Sequence, residues 1–353
     1  MTLKDKRVVV TGGTGSLGKV LVKRLLTGEL GLPAQITVFS RDEAKQHSMR
    51  LAFQHLRVPT DEVIYHNFEQ LLQFQIGDVR DLHRVSTVMR DADVVFNAAA
   101  LKQVPSCEYF PYEAVQTNIV GAENIIRAIR EHRLPVETVV GVSTDKACKP
   151  VNVMGMTKAV QERLFVRANL DNGDTRYVCV RYGNVLASRG SVIPLFHEQI
   201  RRGGPVTITT IEMTRFLLSL EQAVDTVFAA VKAGAPGETY IPRVPSARVT
   251  DVATALIGDR KIETAVTGIR PGEKVHEILV SEEEGHRTFE RGDYYVIRPM
   301  LPELRSSDDG ASALGREYSS SEDVMNCDQV AELLRRHKLM VDDRFVYEED
   351  MLA

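Results

Sequence analysis

The chain has 353 residues, of which 43% are hydrophobic and 26% charged, the composition of a globular protein long enough for about two domains. A formal net charge of −4 excludes a broad basic surface for nucleic acid or anionic membranes, although local arginines can still hold a phosphate. No apolar run reaches the roughly 18 residues that span a bilayer, and the first residues lead into a strand rather than a signal peptide. We therefore expect a cytoplasmic protein with neither a nucleic-acid nor a membrane partner.

Cysteine and histidine are sparsely placed. The four cysteines form no CxxC pair, and the nine histidines show no metal-ligand spacing such as HExxH. The sequence therefore predicts free thiols and no metal site.

Strand-length apolar runs alternate with helical stretches through the first half of the chain. The runs predict strands at 7–10, 36–39, 74–76, 93–98, 139–142 and 176–181. Helical spacing predicts helices at 19–30, 112–132 and 153–169. Such alternation implies a parallel sheet covered on both faces and wound right-handed. We expect an α/β fold in which residues 1–183 form a Rossmann-type doubly wound domain.

The regular alternation of predicted strands and helices ends after residue 183. Strands become sparse, at 206–209 and 239–241, while prolines and glycines become denser. We expect residues 184–300 to form a smaller, irregular α/β substrate domain, with helix 221–233 packing back on the first domain. Residues 301–353 are expected to be a C-terminal tail, with a polar stretch at 304–323 that is a loop or bridges subunits, and a closing helix at 327–338.

A glycine-rich loop, TGGTGSLG, joins the first strand to the first helix. Its glycines permit a tight turn and let backbone N–H groups reach a pyrophosphate at the helix N-terminus. The loop therefore predicts a dinucleotide site, and its candidate residues are Thr11, Gly12, Thr14, Gly15, Ser16, Leu17 and Gly18.

The end of the second strand indicates which dinucleotide binds. NAD sites usually place an acidic residue there, whereas this strand ends in Ser40 and Arg41, with Lys45 one helical turn later. A hydroxyl and two cations suit a 2′-phosphate, so we expect NADP, with Asp42 capping the following helix. The adenine and nicotinamide would pass Asp78, Val79, Ala98, Ala99 and Ala100.

The stretch VSTDKACKPVNVMGMTK begins at the carboxyl end of a strand, where doubly wound folds place ligands. It keeps the spacing of the YxxxK pair of extended short-chain dehydrogenases, but Met154 stands where the tyrosine would be, four residues before Lys158. A thioether cannot accept the proton that this tyrosine takes.

Seven ordered blocks between residue 7 and about residue 335 resemble the inverting UDP-N-acetylglucosamine 4,6-dehydratases of bacterial surface-polysaccharide synthesis. The resemblance is greatest to the capsule-enzyme branch that carries this methionine. The blocks are TGGTGSLG, FSRDE, NAAALKQVPSCEYFPYEAVQTNIVG, VSTDKACKPVNVMGMTK, RYGNVLASRGSVIPLF, EMTRF and RPGEKVHE. The resemblance adds Asn118 and Ser143 to the cofactor site and implies a homo-oligomer.

The family chemistry implies a transient 4-ketone, loss of the C5 proton and of the C6 hydroxyl, and return of the hydride to C6. Such chemistry needs an acid and a base beside C5 and C6. We expect Asp145 to be the acid and Lys146 the base. Either of them takes the C4 hydroxyl proton in place of the tyrosine, with Thr144 as a relay, and Lys158 bonds the nicotinamide ribose.

A UDP-sugar needs cations for two phosphates and polar groups for the uridine. By resemblance, Asn184 and Arg189 lie on the pyrophosphate side, Arg215 holds a phosphate and Glu273 the ribose. The remaining candidates for substrate contact are Lys102, Val104, Tyr182 and Arg270.

Two other functions stay open. A UDP-hexose 4-epimerase would use NAD and need no acid–base pair at C5 and C6. A catalytically inactive NADP-sensing scaffold would explain the missing tyrosine. The dehydratase is the function that the sequence favours, with C3 epimerisation as a further activity.

Overall fold

A computed structural model describes residues 2–54, 67–171, 173–186, 191–270, 272–305 and 314–343. Six parallel strands form most of its main sheet, in the order β3-β2-β1-β4-β5-β6. They are β1 (Arg7–Thr11), β2 (Gln35–Ser40), β3 (Leu72–Ile76), β4 (Val94–Asn97), β5 (Thr138–Thr144) and β6 (Arg176–Tyr182). This is the strand order of a doubly wound dinucleotide-binding fold, so the predicted fold class is confirmed.

Helices cover both faces of this sheet. They are α1 (Ser16–Leu26), α2 (Glu43–Gln54), α3 (Leu82–Val88), α4 (Val104–Tyr109), α5 (Pro111–Ala114), α6 (Gly121–His132) and α7 (Val153–Ala168). A π-helical segment, Val115–Val120, joins α5 to α6. Val8 and Val10 pack into one hydrophobic core, whereas Val9 packs into a second core on the opposite face. The central strand β1 is therefore apolar at consecutive positions because both of its faces are buried, whereas the edge strand β3 carries Gln73 and Gln75 and is only partly buried.

Further elements follow residue 183. The strands are β7 (Val206–Ile208), β8 (Thr214–Phe216), β9 (Thr239–Pro242), β10 (Ser246–Arg248), β11 (Thr264–Val266), β12 (Ile278–Val280), β13 (Thr288–Arg291), β14 (Tyr294–Ile297), β15 (Tyr318–Ser319) and β16 (Val324–Met325). The helices are α8 (Val192–Arg201), α9 (Leu220–Ala233), α10 (Val249–Ile257), α11 (Glu282–Gly285) and α12 (Cys327–Arg336).

Part of this second half returns to the main sheet. Strand β9 pairs parallel to β6, and the β13–β14 hairpin adds two antiparallel strands, which extends the sheet to nine strands. Helix α9 packs on α1, where the Arg24 guanidinium lies 4.9 Å from the centroid of the Phe228 ring. Helix α9 covers the predicted helix 221–233 and packs back on the first domain as expected, and strands β9, β13 and β14 from the same 184–300 stretch join the main sheet as well.

Most of the remaining elements form a smaller lobe with its own core, which includes Phe196, Leu217 and Leu256. Its strands form two short sheets, β16-β10-β8 and β11-β7, whereas β12 pairs with β15 and packs Leu279 and Val280 into the core of the main sheet. The described part of the polar tail packs on its own chain, since β15 pairs with β12 and the Tyr318 hydroxyl donates to the Val244 carbonyl at 3.0 Å. Within the described ranges, no helix is both long enough and apolar enough to cross a bilayer.

Candidate active site

One cleft of about 1210 Å³ runs from the glycine-rich loop, past the carboxyl end of β5, into the smaller lobe. Most of the residues predicted from sequence line it together. They are Gly12, Thr14, Gly15, Ser16, Leu17, Gly18, Ser40, Arg41, Lys45, Asp78, Val79, Ala98, Ala99, Ala100, Lys102, Val104, Ser143, Thr144, Asp145, Lys146, Lys158, Tyr182, Asn184, Arg215, Arg270 and Glu273.

The glycine-rich loop has no room for a side chain at Gly12. Its φ is +65°, and a Cβ built there would lie 2.7 Å from the Ala99 backbone nitrogen. Thr11, in contrast, is 1% exposed and does not line the cleft. Its hydroxyl donates to Asn97 Oδ1 at 2.8 Å and accepts the Ala99 N–H at 3.3 Å. The Thr11 side chain therefore joins the end of β1 to the end of β4 and the loop that follows it, and its contact with the cofactor stays a prediction.

Two cations lie at the end of β2. Arg41 is exposed, with Nη1 3.8 Å from Asp78 Oδ2, and Lys45 Nζ lies 3.1 Å from Asp42 Oδ2. The Asp42 carboxylate accepts the Lys45 backbone N–H at 3.0 Å, so it caps α2 as the sequence predicted. Both cations can swing toward a phosphate because neither is held by a buried partner.

Two predicted cofactor residues serve the protein itself. Asn118 is fully buried outside the cleft, where its amide accepts the Leu101 N–H and donates to the Leu101 carbonyl and to Thr157 Oγ1. The Ser143 hydroxyl donates to buried Glu162 Oε1, although the residue borders the cleft. The Asn118 amide therefore supports the loop after β4, and its contact with the cofactor stays a prediction.

Lys158 is buried beside the cleft, where Nζ donates to Gln161 Oε1 at 2.8 Å. Burial lowers its pKa to about 8, although the neighbouring Cys179 and Glu162 oppose this shift. Met154 lies one helical turn earlier in α7 and also borders the cleft, packed against Cys107 and Ala114. The charged form of Lys158 is therefore less favoured here than that of an exposed lysine.

A tight 3₁₀ turn, Asp145–Ala147, follows β5 directly. Asp145 is 1% exposed; its Oδ1 accepts the Thr144 hydroxyl at 2.7 Å and lies 3.2 Å from Lys146 Nζ. The turn packs tightly on α7, since a Cβ built at Gly155 would lie 2.1 Å from the Lys146 carbonyl oxygen. The predicted acid–base pair is therefore held rigidly against the cleft.

Sequence reasoning missed a second carboxylate on this lysine. Glu277 is 2% exposed and its Oε1 lies 3.0 Å from Lys146 Nζ and 3.8 Å from Arg215 Nε. It closes the RPGEKVHE block, whose Glu273 and Arg270 were selected instead. The charged ending of that block was the available signal, but the pairing itself joins residues 131 positions apart.

The charges of Asp145, Lys146 and Glu277 shift one another's pKa values. Burial and the Glu277 carboxylate raise the pKa of Asp145, against the charge of Lys146. Burial would raise the pKa of Glu277 too, but Lys146 and Arg215 outweigh it and lower that pKa. Burial opposes the Lys146 ammonium, but Asp145 and Glu277 outweigh it and raise its pKa. The cluster thus favours the charged forms of Lys146 and Glu277 and disfavours the charged form of Asp145.

The smaller lobe supplies polar atoms that have no protein partner. Asn184 Oδ1 and Glu273 Oε2 are buried without a hydrogen bond. The Arg215 guanidinium is anchored by the backbone carbonyls of Thr214, Lys274 and Val275. Arg189 lies outside the described residues. Within the described part of the chain, no cluster of three histidine, cysteine, aspartate or glutamate side chains could hold a metal ion.

The chain is similar to known enzymes over most of its length. It is 42% identical over 322 residues to the UDP-N-acetylglucosamine 4,6-dehydratase (inverting) of Campylobacter jejuni, covering 90% of each chain. It is also 43% identical over 301 residues to a UDP-glucose 4-epimerase of Rickettsia bellii, covering 84% of this chain and 83% of that one. Identity alone therefore does not separate the two chemistries.

Solved structures share the fold. The structure of Pen from Bacillus thuringiensis is similar at a TM-score of 0.85 and 34% identity, covering 96% of this chain and 100% of that one. More distant structures, from 18% to 22% identical with TM-scores from 0.59 to 0.63, share the fold, and several of those hold NAD. The model of a family described as polysaccharide biosynthesis protein matches residues 8–299. The family resemblance is thus confirmed: this chain belongs to the polysaccharide biosynthesis protein family and has the fold of the extended short-chain dehydrogenases.

Proposed function

We propose that this protein is a UDP-N-acetylglucosamine 4,6-dehydratase that inverts C5. The observation that carries the proposal is a buried carboxyl group and an amine, Asp145 and Lys146, side by side at the end of β5 in the same cleft as the dinucleotide loop. The similarity to the Campylobacter jejuni dehydratase supports it. An epimerase that only exchanges C4 stereochemistry needs no such pair beside C5 and C6.

The cofactor in this proposal is a nicotinamide dinucleotide, and specifically NADP. The residues of the glycine-rich loop fit a dinucleotide. Gly12 has no room for a Cβ, so the loop can pass close to the Ala99 backbone, and α1 begins at Ser16 with its N-terminus toward the cleft, where backbone N–H groups can bind a pyrophosphate. Arg41 and Lys45 would meet the 2′-phosphate, and Lys158 the nicotinamide ribose. When bound, the nicotinamide would reversibly accept the hydride of C4, which makes the C5 proton acidic.

The side chains of the turn would then move the protons. Asp145 holds the proton that it gives to the departing C6 hydroxyl, in keeping with its raised pKa. Lys146 removes the C5 proton. Asp145 receives its own proton beforehand from the C4 hydroxyl, relayed through Thr144, whose hydroxyl contacts Asp145 Oδ1.

The substrate is a UDP-sugar in this proposal. Asn184 and Glu273 bring unpartnered buried oxygens that suit ribose hydroxyls, and Arg215 brings a cation that suits a phosphate. Lys102, Val104, Tyr182 and Arg270 line the same end of the cleft. We further propose a homo-oligomer, which light scattering of the purified chain would establish.

One assay tests the reaction. UDP-N-acetylglucosamine is incubated with the protein and NADP in heavy water, and the product is followed by mass and proton NMR. Dehydration gives a mass lower by one water, a new C6 methyl signal and deuterium at C5. The alternative that the Rickettsia bellii relative supports, 4-epimerisation, leaves the sugar mass unchanged and would overturn the proposal.

The cofactor preference is tested with Arg41→Glu. Losing a bond between charged groups costs about 1.5–3 kcal/mol, so NADP should bind roughly 10- to 100-fold more weakly, while NAD changes less than about 3-fold. The control is Arg50→Glu in the following helix α2, where the guanidinium stacks on Phe74 and the residue does not line the cleft. Equal loss of both cofactors at position 41 would show that Arg41 does not read the 2′-phosphate.

A further inference from the structure

The base of the proposed reaction carries a proton that it must first lose. Lys146 Nζ lies 3.2 Å from Asp145 Oδ1 and 3.0 Å from Glu277 Oε1, and both carboxyl groups are nearly inaccessible to water. An ammonium in that position cannot remove a proton from carbon. The protein groups nearest to the ammonium proton are the two carboxyl groups, so the candidate acceptors are Asp145 and Glu277.

Asp145 is poorly suited to be that acceptor. Its Oδ1 already accepts the Thr144 hydroxyl, and in the proposed reaction this carboxyl group must carry a proton when the C6 hydroxyl leaves. Using it for the amine's proton would remove the acid when the acid is needed. One carboxyl group cannot fill both roles in the same step.

Glu277 is free of that conflict and is held in place for the role. Its backbone N–H donates to Ser320 Oγ at 2.9 Å, and the same hydroxyl lies 2.7 Å from Thr214 Oγ1, which ties the start of β12 to the smaller lobe. Its Oε2 is buried without a hydrogen-bond partner. The other charged groups that act on it are Arg215, Lys274 and Asp145.

We propose that Glu277 is the internal proton acceptor of Lys146. An N–H bond of the Lys146 ammonium breaks and an O–H bond forms on Glu277 Oε1, so the ion pair becomes a neutral pair without change in net charge. The neutral amine then takes the C5 proton of the 4-keto sugar, leaving the bonding electrons on the C5–C4–O enolate. Glu277 acts through Lys146, so it is a positioning residue. This inference rests on the proposed function.

The test isolates the base from the acid and from hydride transfer. A purified UDP-4-keto-6-deoxy sugar is incubated in heavy water with the NADP-loaded protein, and deuterium entry at C5 is followed by proton NMR across pH. This exchange needs only a base beside C5. Glu277→Gln should slow it about 100-fold at pH 7 with a change in KM below about 3-fold.

The pH dependence separates proton transfer from a structural role. The Glu277 charge raises the pKa of Lys146, so this pKa should be lower in Glu277→Gln than in the wild type. In the variant the ammonium then loses its proton to solvent as the pH rises, and the exchange rate should recover. The wild-type rate should stay nearly constant. A loss that is equal at every pH, or a wild-type rate at pH 7, overturns the inference.

Two further variants keep the outcome decisive. Glu277→Asp retains an acceptor, so it should exchange within about 10-fold of wild type and without the recovery at high pH; such a recovery would contradict us. Glu238→Gln removes another buried carboxylate, 2.7 Å from Arg291 and outside the cleft, and should leave exchange unchanged. If the wild-type protein neither exchanges C5 nor forms a C6 methyl, the proposed function itself fails.

Discussion

Two buried clusters in this protein share one composition, a single cation between two carboxyl groups, yet they differ in how completely they are satisfied. In the arginine cluster, Arg181 lies between Glu162 and Glu284. In the lysine cluster, Lys146 lies between Asp145 and Glu277. The clusters are close neighbours, because Arg181 pairs in register with Ser143 of β5, two residues before Asp145.

In the arginine cluster, every N–H group of the guanidinium has a hydrogen-bond acceptor. Arg181 donates two bonds to each glutamate, at distances from 2.6 to 3.0 Å, and a fifth to the Leu279 carbonyl at 2.9 Å. A guanidinium does not lose its proton in a protein, so this cluster can only hold structure together. Burial opposes ionisation of Glu284, but the bonds and charge of Arg181 outweigh it and lower its pKa to about 2.

The lysine cluster contains carboxylate oxygens beside the cleft that have no hydrogen-bond partner. Asp145 Oδ2 and Glu277 Oε2 are buried and lack a partner, and an amine can release a proton, unlike a guanidinium. An unsatisfied buried polar atom costs stability, so its presence at the end of β5 indicates a functional site. The comparison teaches that satisfaction of hydrogen bonds, rather than burial or charge, separates the structural cluster from the chemical one.

The largest expected effect breaks the lysine cluster. Lys146→Ala should lower the dehydration rate by about 10³-fold and abolish deuterium entry at C5, because the proposed base is gone. Product formation and NMR in heavy water measure both. Lys149→Ala removes a lysine three residues later that pairs with Glu317, and should stay within about 2-fold. Full exchange at C5 in Lys146→Ala would refute its assignment as the base.

Breaking the arginine cluster should damage folding instead. Arg181→Leu leaves two buried carboxylates without their cation, so we expect the free energy of unfolding to fall by about 3–5 kcal/mol in urea denaturation. Arg130→Leu removes an exposed ion pair with Asp171 and should cost less than about 1 kcal/mol. Comparable losses in the two variants would mean that the arginine cluster is no more than a surface pair.

The contributions of the two clusters to the free energy of unfolding should change with pH in opposite directions. The pKa of Glu284 is depressed to about 2 in the folded state, so its contribution is present above about pH 4.3, the unfolded pKa, and is lost toward pH 2. The pKa of Asp145 is raised, so its contribution is present below about pH 3.9 and is lost as pH rises through the folded pKa.

Two neutral variants measure that difference at pH 7. Glu284→Gln should lower the free energy of unfolding by about 2 kcal/mol, whereas Asp145→Asn should raise it slightly while it lowers dehydration. Urea denaturation at pH 3, 5 and 7 follows both variants. A destabilised Asp145→Asn protein at pH 7 would show that this carboxyl group stabilises the fold.

The smallest effect sharpens the boundary between the clusters. Ser143 borders the cleft but donates to Glu162, so Ser143→Ala should cost about 1 kcal/mol of stability and change the dehydration rate less than about 3-fold. A fall in rate of 100-fold at unchanged stability would return Ser143 to the catalytic site.

The local sequence determined much of this protein. Period and strand length placed β1 to β6, and parallel strands expose their carboxyl ends at one edge, so Gly12 and Asp145 could be assigned to one cleft from sequence. Each of these inferences depends on neighbours a few residues apart. After residue 183 the sequence located β7 and β9 but not the other short strands, since two to four residues carry too little periodicity.

Only the tertiary structure decided which polar side chains are hydrogen-bonded within the protein and which remain free for a ligand. Thr11, Asn118 and Ser143 look like site residues in the chain, but each uses its polar side chain on the protein's own backbone or side chains. Glu277 reaches Lys146 from 131 residues away, a distance over which spacing carries no information. Hydrogen-bond satisfaction depends on every group that converges on an atom, and that convergence exists only once the chain is folded.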